Sequence, residues 1–245
     1  MEPVALPQPA VDAAANGQPA LAPVPDAEDV ALQVRGLTKR WNGTPVLDDV
    51  DLTLLHGTAV RISGRNGAGK TTLLRIVAGL IAADSGTAAI GRLDPVRHRR
   101  QYHACVGFLS AGNSGLYARL TARQHLEMWA RIAFLPRDRR GPAIQRSIER
   151  FALEDLSDRR VDRLSMGQRQ RVRLALAFLH DPVLALLDEP RNSLDEDGVA
   201  LVGRAVEGTV GQGGAVIWCC PDGEASPLSF DRSYAIEAAK LVERP

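Results

Sequence analysis

Lysine is scarce in this chain. Among its 245 residues and 30 basic side chains, only Lys39, Lys70 and Lys240 are lysines, and the rest are arginines. With 29 acidic residues the formal net charge is +1, which gives no general attraction for nucleic acid or an anionic membrane. Aromatic residues make up only 4%, which argues against a surface that stacks on bases or sugars. We therefore expect no nucleic-acid partner.

Cysteine and long apolar runs are also sparse. Cys105, Cys219 and Cys220 are odd in number and have no C-x-x-C spacing, which favours buried thiols in a reducing compartment over a zinc site. No run approaches the roughly 18 apolar residues of a membrane span, and no basic segment precedes an apolar one at the N-terminus. These absences predict a soluble chain that is not exported.

The chain divides into a tail and a folded part. Residues 1–28 are rich in proline and alanine and contain no lysine or arginine, which predicts a disordered tail. Residues 29–245 are long enough for one large domain. In this part short strand patterns alternate with helical ones, which predicts an α/β fold with a parallel or mixed sheet covered on both faces.

A helical lobe of approximately residues 112–163 interrupts this alternation. Thr121–Leu135 predicts an amphipathic helix that opens with a capping box and is stopped by Pro136. We expect Arg137–Arg140 to form an exposed basic loop and Ala143–Leu153 to form a second helix. The apolar stripe of the first helix consists of Leu126, Trp129, Ala130, Ala133 and Phe134.

A glycine-rich segment follows the predicted strand Ala59–Ile62 and opens the predicted helix Lys70–Leu80. It fits the pattern G-x-x-x-x-G-K-[ST], whose backbone N–H groups surround phosphate oxygens at a helix N-terminus. The lysine adds a full positive charge, and the following hydroxyl can reach Mg²⁺. A chance turn is the alternative, but the flanking strand and helix argue against it. The candidate nucleotide-binding residues are Gly64, Arg65, Asn66, Gly67, Ala68, Gly69, Lys70, Thr71 and Thr72, with Thr71 also a candidate metal ligand.

Two carboxylates follow the apolar run Val183–Leu187. The carboxyl edge of a sheet is where an α/β fold presents groups to a ligand. Asp188 is thus a candidate to hold Mg²⁺ through water, and Glu189 is a candidate catalytic residue that polarises the attacking water. A polar strand exit is the alternative, and the phosphate-binding segment makes it the weaker one.

The third element is Leu164-Ser165-Met166-Gly167-Gln168. Local physics alone makes it a helix start, with Ser165 as N-cap and Gln168 closing a capping box. Together with the other two elements, however, the chain resembles the nucleotide-binding subunits of ABC transporters, whose signature L-S-G-G-Q it matches except at Met166. The resemblance spans about Val30 to Val242.

This resemblance implies a P-loop NTPase core with a mixed sheet between helices, an N-terminal antiparallel β subdomain and the inserted helical lobe. It implies ATP and Mg²⁺ as ligands. It also implies that Ser165, Gly167 and Gln168 contact ATP held by a second ATP-binding subunit, identical or different, in a head-to-tail dimer. Trp41 lies where the family places an aromatic that stacks on adenine, although a half-buried strand residue is the alternative. Ser193-Leu194-Asp195 lies at the family's D-loop.

Two positions depart from the family pattern. The family usually has a glutamine after the strand Val106–Leu109 that links the metal site to the helical lobe, and here Ala111 stands at that place. A histidine that touches the γ-phosphate is replaced by Pro221. Because phosphoryl transfer depends mainly on positioning and charge stabilisation, we expect hydrolysis to persist but to be slow.

The segment Gly115–Arg123 is similar to the start of the lobe in subunits that drive bacterial drug, antibiotic or polysaccharide exporters. The resemblance therefore implies an exporter ATPase bound to a separate integral membrane permease, peripheral on the cytoplasmic face of the cell membrane. Tyr117, Leu120 and Trp129 are candidate permease contacts, and the last two could equally be lobe core.

Two other functions compete with this interpretation. A regulatory ATP-dependent clamp with little turnover is favoured by Ala111 and Pro221 and opposed by Glu189. A nucleic-acid-acting or ribosome-acting ATPase would need two cassettes or a long coiled coil and a basic surface. The tight basic cluster Arg97–Arg100 is instead typical of a solvated loop.

Overall fold

Nine strands and six α-helices are present among residues 29–112, 115–225 and 228–244, the parts of the chain that the computed structural model describes. The predicted tail of residues 1–28 lies outside them. The strands are β1 (Val30–Trp41), β2 (Thr44–Leu55), β3 (Ala59–Ser63), β4 (Ser85–Ala89), β5 (Val106–Leu109), β6 (Leu184–Asp188), β7 (Ala215–Cys220), β8 (Arg232–Glu237) and β9 (Lys240–Arg244). The helices are α1 (Lys70–Val77), α2 (Arg99–Cys105), α3 (Ala122–Ile132), α4 (Arg137–Arg150), α5 (Met166–Phe178) and α6 (Glu196–Gly211).

The N-terminal strands form an antiparallel sheet in the order β2-β1-β4. A two-residue turn joins β1 to β2, and both of its residues, Asn42 and Gly43, have positive φ values of 50° and 82°. Asn-Gly is the pair best suited to this turn, since its twist matches that of the two strands. The antiparallel β subdomain implied by the resemblance is confirmed.

The second sheet has the order β5-β6-β7-β3-β8-β9 and is parallel except for β9. Its strands β6 and β7 are buried along their whole length, as expected for a parallel sheet covered on both faces. The carboxyl ends of β3, β5, β6 and β7 meet at one edge. This edge therefore collects the phosphate-binding segment, Ser110, Asp188 and Pro221.

Two buried clusters cover the two faces of this sheet. One lies between the sheet, α1 and the antiparallel subdomain and includes Leu32, Ile62 and Leu73. The other joins the opposite face to α5, α6 and the helical lobe and includes Trp218 and Phe178. The lobe and the parallel sheet thus share one continuous apolar core, so a displacement of one strains the packing of the other.

The helical lobe contains α3, α4 and two single 3₁₀ turns between residues 154 and 163. The capping box predicted at Thr121 is present. Phe134 does not continue the apolar stripe: α3 ends at Ile132, and Phe134 has φ +57° and is 51% exposed. The predicted loop Arg137–Arg140 is wrong because these residues form the first turn of α4.

The helical start at Arg137–Arg140, which was predicted to be a loop, has a clear cause. Pro136 takes an extended conformation just before α4, where a fixed φ suits a helix start, and Asp138 complements the positive helix N-terminus. Charge density alone was a poor guide, because arginine is also a good helix former.

Three elements were not predicted. The basic cluster Arg97–Arg100 is exposed as expected, but its second half begins the short helix α2. The C-terminal strands β8 and β9 form a hairpin whose turn residues Ala238 and Ala239 both have positive φ. Alanine gives no sequence signal for such a turn.

In the described ranges, no helix has both the length and the apolar character that crossing a bilayer requires.

Candidate functional site

The loop after β3 wraps around the ammonium group of Lys70. This lysine is only 5% exposed, and its Nζ donates hydrogen bonds to the carbonyl oxygens of Gly64 (2.6 Å) and Arg65 (3.1 Å). At Gly69 φ is +114°, and an added Cβ would lie 2.7 Å from the carbonyl oxygen of Val46. Only glycine therefore allows β2 to approach the loop so closely.

A cavity of about 340 Å³ lies beside this loop. Of the residues predicted to bind nucleotide, Gly64 and Arg65 form the base of the loop and do not line the cavity. The indole of Trp41 is 49% exposed, and the Lys39 ammonium lies 4.8 Å from the ring centroid. Exposure of the ring leaves it free to stack on a base, although that role remains a prediction. The cavity is lined by Trp41, Val46, Asn66, Gly67, Ala68, Gly69, Lys70, Thr71, Thr72 and Glu189.

Asp188 ends β6 and is 1% exposed. Its Oδ2 accepts hydrogen bonds from the Thr71 hydroxyl (2.6 Å) and the Ala111 N–H (3.4 Å). Burial raises the pKa of Asp188, and the Thr71 hydrogen bond works against this rise. Its Oδ1 is buried and has no hydrogen-bond partner among the residues that the structure describes.

This unsatisfied oxygen decides whether the site suits a cation. A buried carboxylate oxygen without a partner is costly, and a bound cation would remove the cost. The neighbouring hydroxyl is a second hard oxygen ligand of the kind that Mg²⁺ prefers. Asp188 and Thr71 therefore fit the Mg²⁺ predicted for this site.

Glu189 lies one residue beyond the strand in an unusual conformation. Its φ is +51°, and its N–H donates to the carbonyl oxygen of Cys219 on β7 (2.9 Å). Its Oε2 accepts a hydrogen bond from the side-chain amide of Asn192 (2.7 Å). A non-glycine residue in this region costs about 1 kcal/mol or more, and such strain is concentrated at functional sites. Asn192 was missed by the sequence reasoning, which gave no role to the residues between the carboxylates and Ser193.

The signature segment lies at the start of α5 as predicted. Ser165 and Gln168 form both hydrogen bonds of the capping box. Met166 is 53% exposed, and an added Cβ at Gly167 would lie 2.7 Å from the carbonyl oxygen of Ser193. None of the signature residues lines the cavity beside Lys70. Their predicted contact with ATP would therefore have to be made in a second subunit.

A second, larger space separates the helical lobe from the parallel sheet. This groove measures about 500 Å³ and lies among α2, α3, β5 and α5. Three of its apolar side chains are at least half exposed, namely Leu80, Ile132 and Phe134. Trp129 packs on the lobe core and also lines the groove, so the core alternative is confirmed and contact with a permease stays a prediction. Tyr117 is 63% exposed but lies outside the groove, as does the half-buried Leu120.

Residues 47–192, more than half of the chain, match the ABC transporter family. The chain belongs to this family. The match runs from β2 through the P-loop and the signature to Asn192, so Trp41 and Val46 are the cavity-lining residues that fall outside it. Membership confirms the resemblance drawn from the three motifs.

Relatives of this ABC domain are numerous. The ABC transporter ATP-binding protein NatA of Bacillus subtilis is 40% identical over 60% of this chain and 60% of its own length. Daunorubicin resistance ATP-binding protein DrrA3 of Streptomyces coeruleorubidus is 33% identical over 87% of this chain and 67% of its own. The probable multidrug protein YbhF of Escherichia coli is 31% identical over 78% of this chain. The ABC domain spans about a third to two thirds of these three relatives.

Solved structures show the same fold. An ATP-binding subunit of an ABC transporter superposes with a TM-score of 0.77 at 23% identity, covering 86% of this chain and 88% of that one. The cbiO1 protein of Clostridium perfringens, part of the ABC transporter complex cbiONQ, gives a TM-score of 0.74 at 24% identity over 87% of each chain. These similarities confirm the predicted P-loop NTPase fold.

Proposed function

We propose that this ABC domain hydrolyses ATP and thereby powers a separate membrane permease that works as an exporter. The observation that carries the proposal is the convergence of Lys70, the pair Thr71–Asp188 and Glu189 on one edge of the parallel sheet. These groups supply what phosphoryl transfer requires: a cation that binds the phosphates, a carboxylate that holds the metal ion and a carboxylate that activates the attacking water.

Each group has a defined task in this reaction. Lys70 exchanges the carbonyl oxygens of Gly64 and Arg65 for phosphate oxygens, so its charge is held ready in a preformed loop. Thr71 and Asp188 would hold Mg²⁺, which supplies charge stabilisation to the phosphate oxygens when bound. Glu189 accepts a proton from water, and Asn192 holds its carboxylate in orientation.

The signature segment argues for a second subunit. Its capped helix start presents backbone N–H groups, which suit an anionic phosphate. Since it does not line the cavity of its own chain, we propose that it completes the cavity of another ATP-binding subunit, head to tail. When each chain offers both halves, the two reciprocal contacts form a closed two-fold dimer with an isologous interface.

The groove between lobe and sheet suits the permease. Exposed apolar side chains on its rim, including Leu80 and Ile132, favour an apolar helix or loop as occupant. A permease bound there would hold the domain peripherally on the cytoplasmic face of the membrane.

The transport direction rests on the names of relatives, which are divided. The cytochrome c biogenesis ATP-binding export protein CcmA of Ruegeria pomeroyi is 38% identical over 77% of this chain. The sulfate/thiosulfate import protein CysA of Methylococcus capsulatus is 37% identical over 68%. The start of the lobe at Gly115–Arg123 and the daunorubicin resistance relative favour export.

The test compares the parent with Glu189→Gln, which keeps the shape and the acceptor for Asn192 but removes the base. ATP turnover should fall by about 10²- to 10⁴-fold, the usual contribution of a general base. Glu207→Gln, an exposed change on α6, is the matched control and should retain parental turnover. Light scattering with Mg²⁺ and ATP should show that the Glu189 variant accumulates as a dimer.

Two outcomes would overturn the proposal. If the parent dimerises but has no turnover above background, the chain is an ATP-dependent clamp and not a motor. If both proteins turn over equally, Glu189 is not the base. Direction is tested separately, by measuring cargo movement in inside-out and right-side-out vesicles that contain the complete transporter.

A further inference from the structure

Helix α5 carries a buried arginine that has no acidic partner. Arg173 is 7% exposed, and none of the ion pairs in the described part of the chain includes it. Its guanidinium donates instead to neutral acceptors: the side-chain oxygen of Gln170 (2.7 Å), the Ser110 hydroxyl (3.2 Å) and the Ser110 carbonyl oxygen. A buried charge without a counter-ion is expensive, so this position has a reason beyond packing.

The acceptors lead to the catalytic edge. Ser110 follows β5, and the parallel register that pairs Leu109 with Leu187 places Ser110 beside Asp188. The next residue, Ala111, donates its N–H to the Asp188 carboxylate. Since the side chain of Ala111 cannot make this contact, the position of the backbone alone decides whether the hydrogen bond forms.

The same network reaches the second carboxylate. Gln170, which is 3% exposed, receives the hydrogen bond from Arg173 and donates its own amide to the carbonyl oxygen of Pro190 (3.1 Å). Pro190 directly follows Glu189. Two side chains of α5 therefore hold the backbone near the carboxylate pair: Arg173 holds Ser110, beside Asp188, and Gln170 holds Pro190, after Glu189.

The other side of the network faces the groove. Arg173 and Ser110 both line it, with Phe108 and Leu176 beside them. A group that enters the groove would meet the guanidinium or the Ser110 backbone. A contact with the Ser110 backbone would be passed to Asp188 through the link to Ala111 and one hydrogen bond, and a contact with the guanidinium would need the Arg173–Ser110 hydrogen bond as well.

We propose that Arg173 is a positioning residue that holds the Ser110–Ala111 backbone against Asp188 and thereby connects the groove to the Mg²⁺ carboxylate. The inference rests on the proposed function only in assigning Mg²⁺ to Asp188. The guanidinium is suited to this role because its planar donors engage two residues at once, which a single ammonium cannot do in the same geometry.

The test measures the affinity for a fluorescent ATP analogue in Mg²⁺ and in EDTA, so it does not depend on turnover. Removing a partner that orients a metal ligand typically costs about 10- to 100-fold in metal affinity. For Arg173→Met we expect the affinity in Mg²⁺ divided by the affinity in EDTA to fall by about tenfold or more. The affinity in EDTA should stay at the parental value. Arg173→Lys, which retains the charge but has a single donor nitrogen, should recover part of the ratio.

The matched control is Arg171→Met on the same helix, whose guanidinium contacts the carbonyl oxygen of Ala152 instead. It should keep the parental ratio. The proposal is overturned if folded Arg173→Met keeps the parental ratio, if it loses affinity equally in Mg²⁺ and EDTA, or if the Arg171 variant shows the same change. If Arg173→Met does not fold, Arg173→Lys decides. A parental ratio in Arg173→Lys would show that simultaneous contact with Gln170 and Ser110 is not needed, and would refute the proposal.

These outcomes are separable from failure of the proposed function. A parent without turnover would refute the motor while leaving both affinities measurable. Conversely, this inference alone is refuted if the parent hydrolyses ATP normally and Arg173→Met has the parental ratio of the affinities in Mg²⁺ and EDTA.

Discussion

At Gly107 on β5 the signature helix α5 lies very close to the parallel sheet. A Cβ at this residue would lie 2.2 Å from the carbonyl oxygen of Ala177 on α5 and 2.7 Å from the Pro182 ring. Both neighbours are rigid, one being helix backbone and the other a proline. The change Gly107→Ala therefore forces β5 and α5 apart by about an ångström, because a carbon and a carbonyl oxygen do not approach within about 3 Å.

The cost follows from this displacement. Overpacking by one methyl group in a tight core costs about 1–3 kcal/mol, and the absence of a yielding side chain places this site at the upper end. We thus expect the free energy of unfolding to fall by about 3 kcal/mol. Because Ser110 lies three residues further along, the shift should also weaken its contact with Arg173 and lower Mg²⁺-dependent nucleotide affinity.

Urea titration followed by circular dichroism measures the loss. Gly208→Ala is the matched control, because Gly208 lies inside α6 and no atom lies within 4 Å of an added Cβ. Alanine in a helix interior is favoured over glycine by about 0.5–1 kcal/mol, so this variant should be more stable than the parent. Gly107→Ala with parental stability would refute the close approach of α5 to β5.

Two further results are expected. Trp41→Ala should weaken ATP binding by about 1–3 kcal/mol, or roughly 5- to 150-fold, the usual contribution of base stacking, with Trp41→Phe recovering most of it in fluorescence titrations; equal affinities for all three proteins would rule out stacking. Burial lowers the pKa of His125, whose neutral ring accepts the Tyr117 N–H (2.8 Å), so the unfolded chain takes up the proton first and stability should fall as the pH drops below about 6.5. Melting temperatures between about pH 8 and 5 should show a shallower slope for His125→Gln and a parental slope for the exposed control His98→Gln, and identical slopes would contradict the assignment.

The binding edge was predictable because its chemistry is local in sequence. The glycines, Lys70 and Thr71 occupy consecutive positions whose roles depend only on the strand before them and the helix after them. Asp188 and Glu189 were identified for the same reason, since an apolar run followed by carboxylates indicates the end of a buried strand.

Contacts between distant segments were not predictable. The hydrogen bonds from Arg173 to Ser110 join residues 63 positions apart, and a lone arginine in an arginine-rich chain gives no signal of burial. Asn192 could have been found, because it lies three residues after Glu189 and a turn at that point brings the two side chains together. The hairpin of β8 and β9 was missed because Ala238 and Ala239 occupy positions that usually require glycine or asparagine.

The two departures from the family pattern have different physical consequences. At Ala111 the backbone N–H still contacts Asp188, so the link to the metal carboxylate survives although the side chain is gone. At Pro221 neither a side-chain donor nor an N–H is available, so that position cannot donate a hydrogen bond to a phosphate oxygen. No described residue beyond Glu189 in the sequence lines the cavity beside Lys70, which leaves its open side without further donors from this chain. In the proposed head-to-tail dimer the signature helix start of the second subunit would fill this gap, and we therefore expect turnover to require dimer closure as well as Glu189.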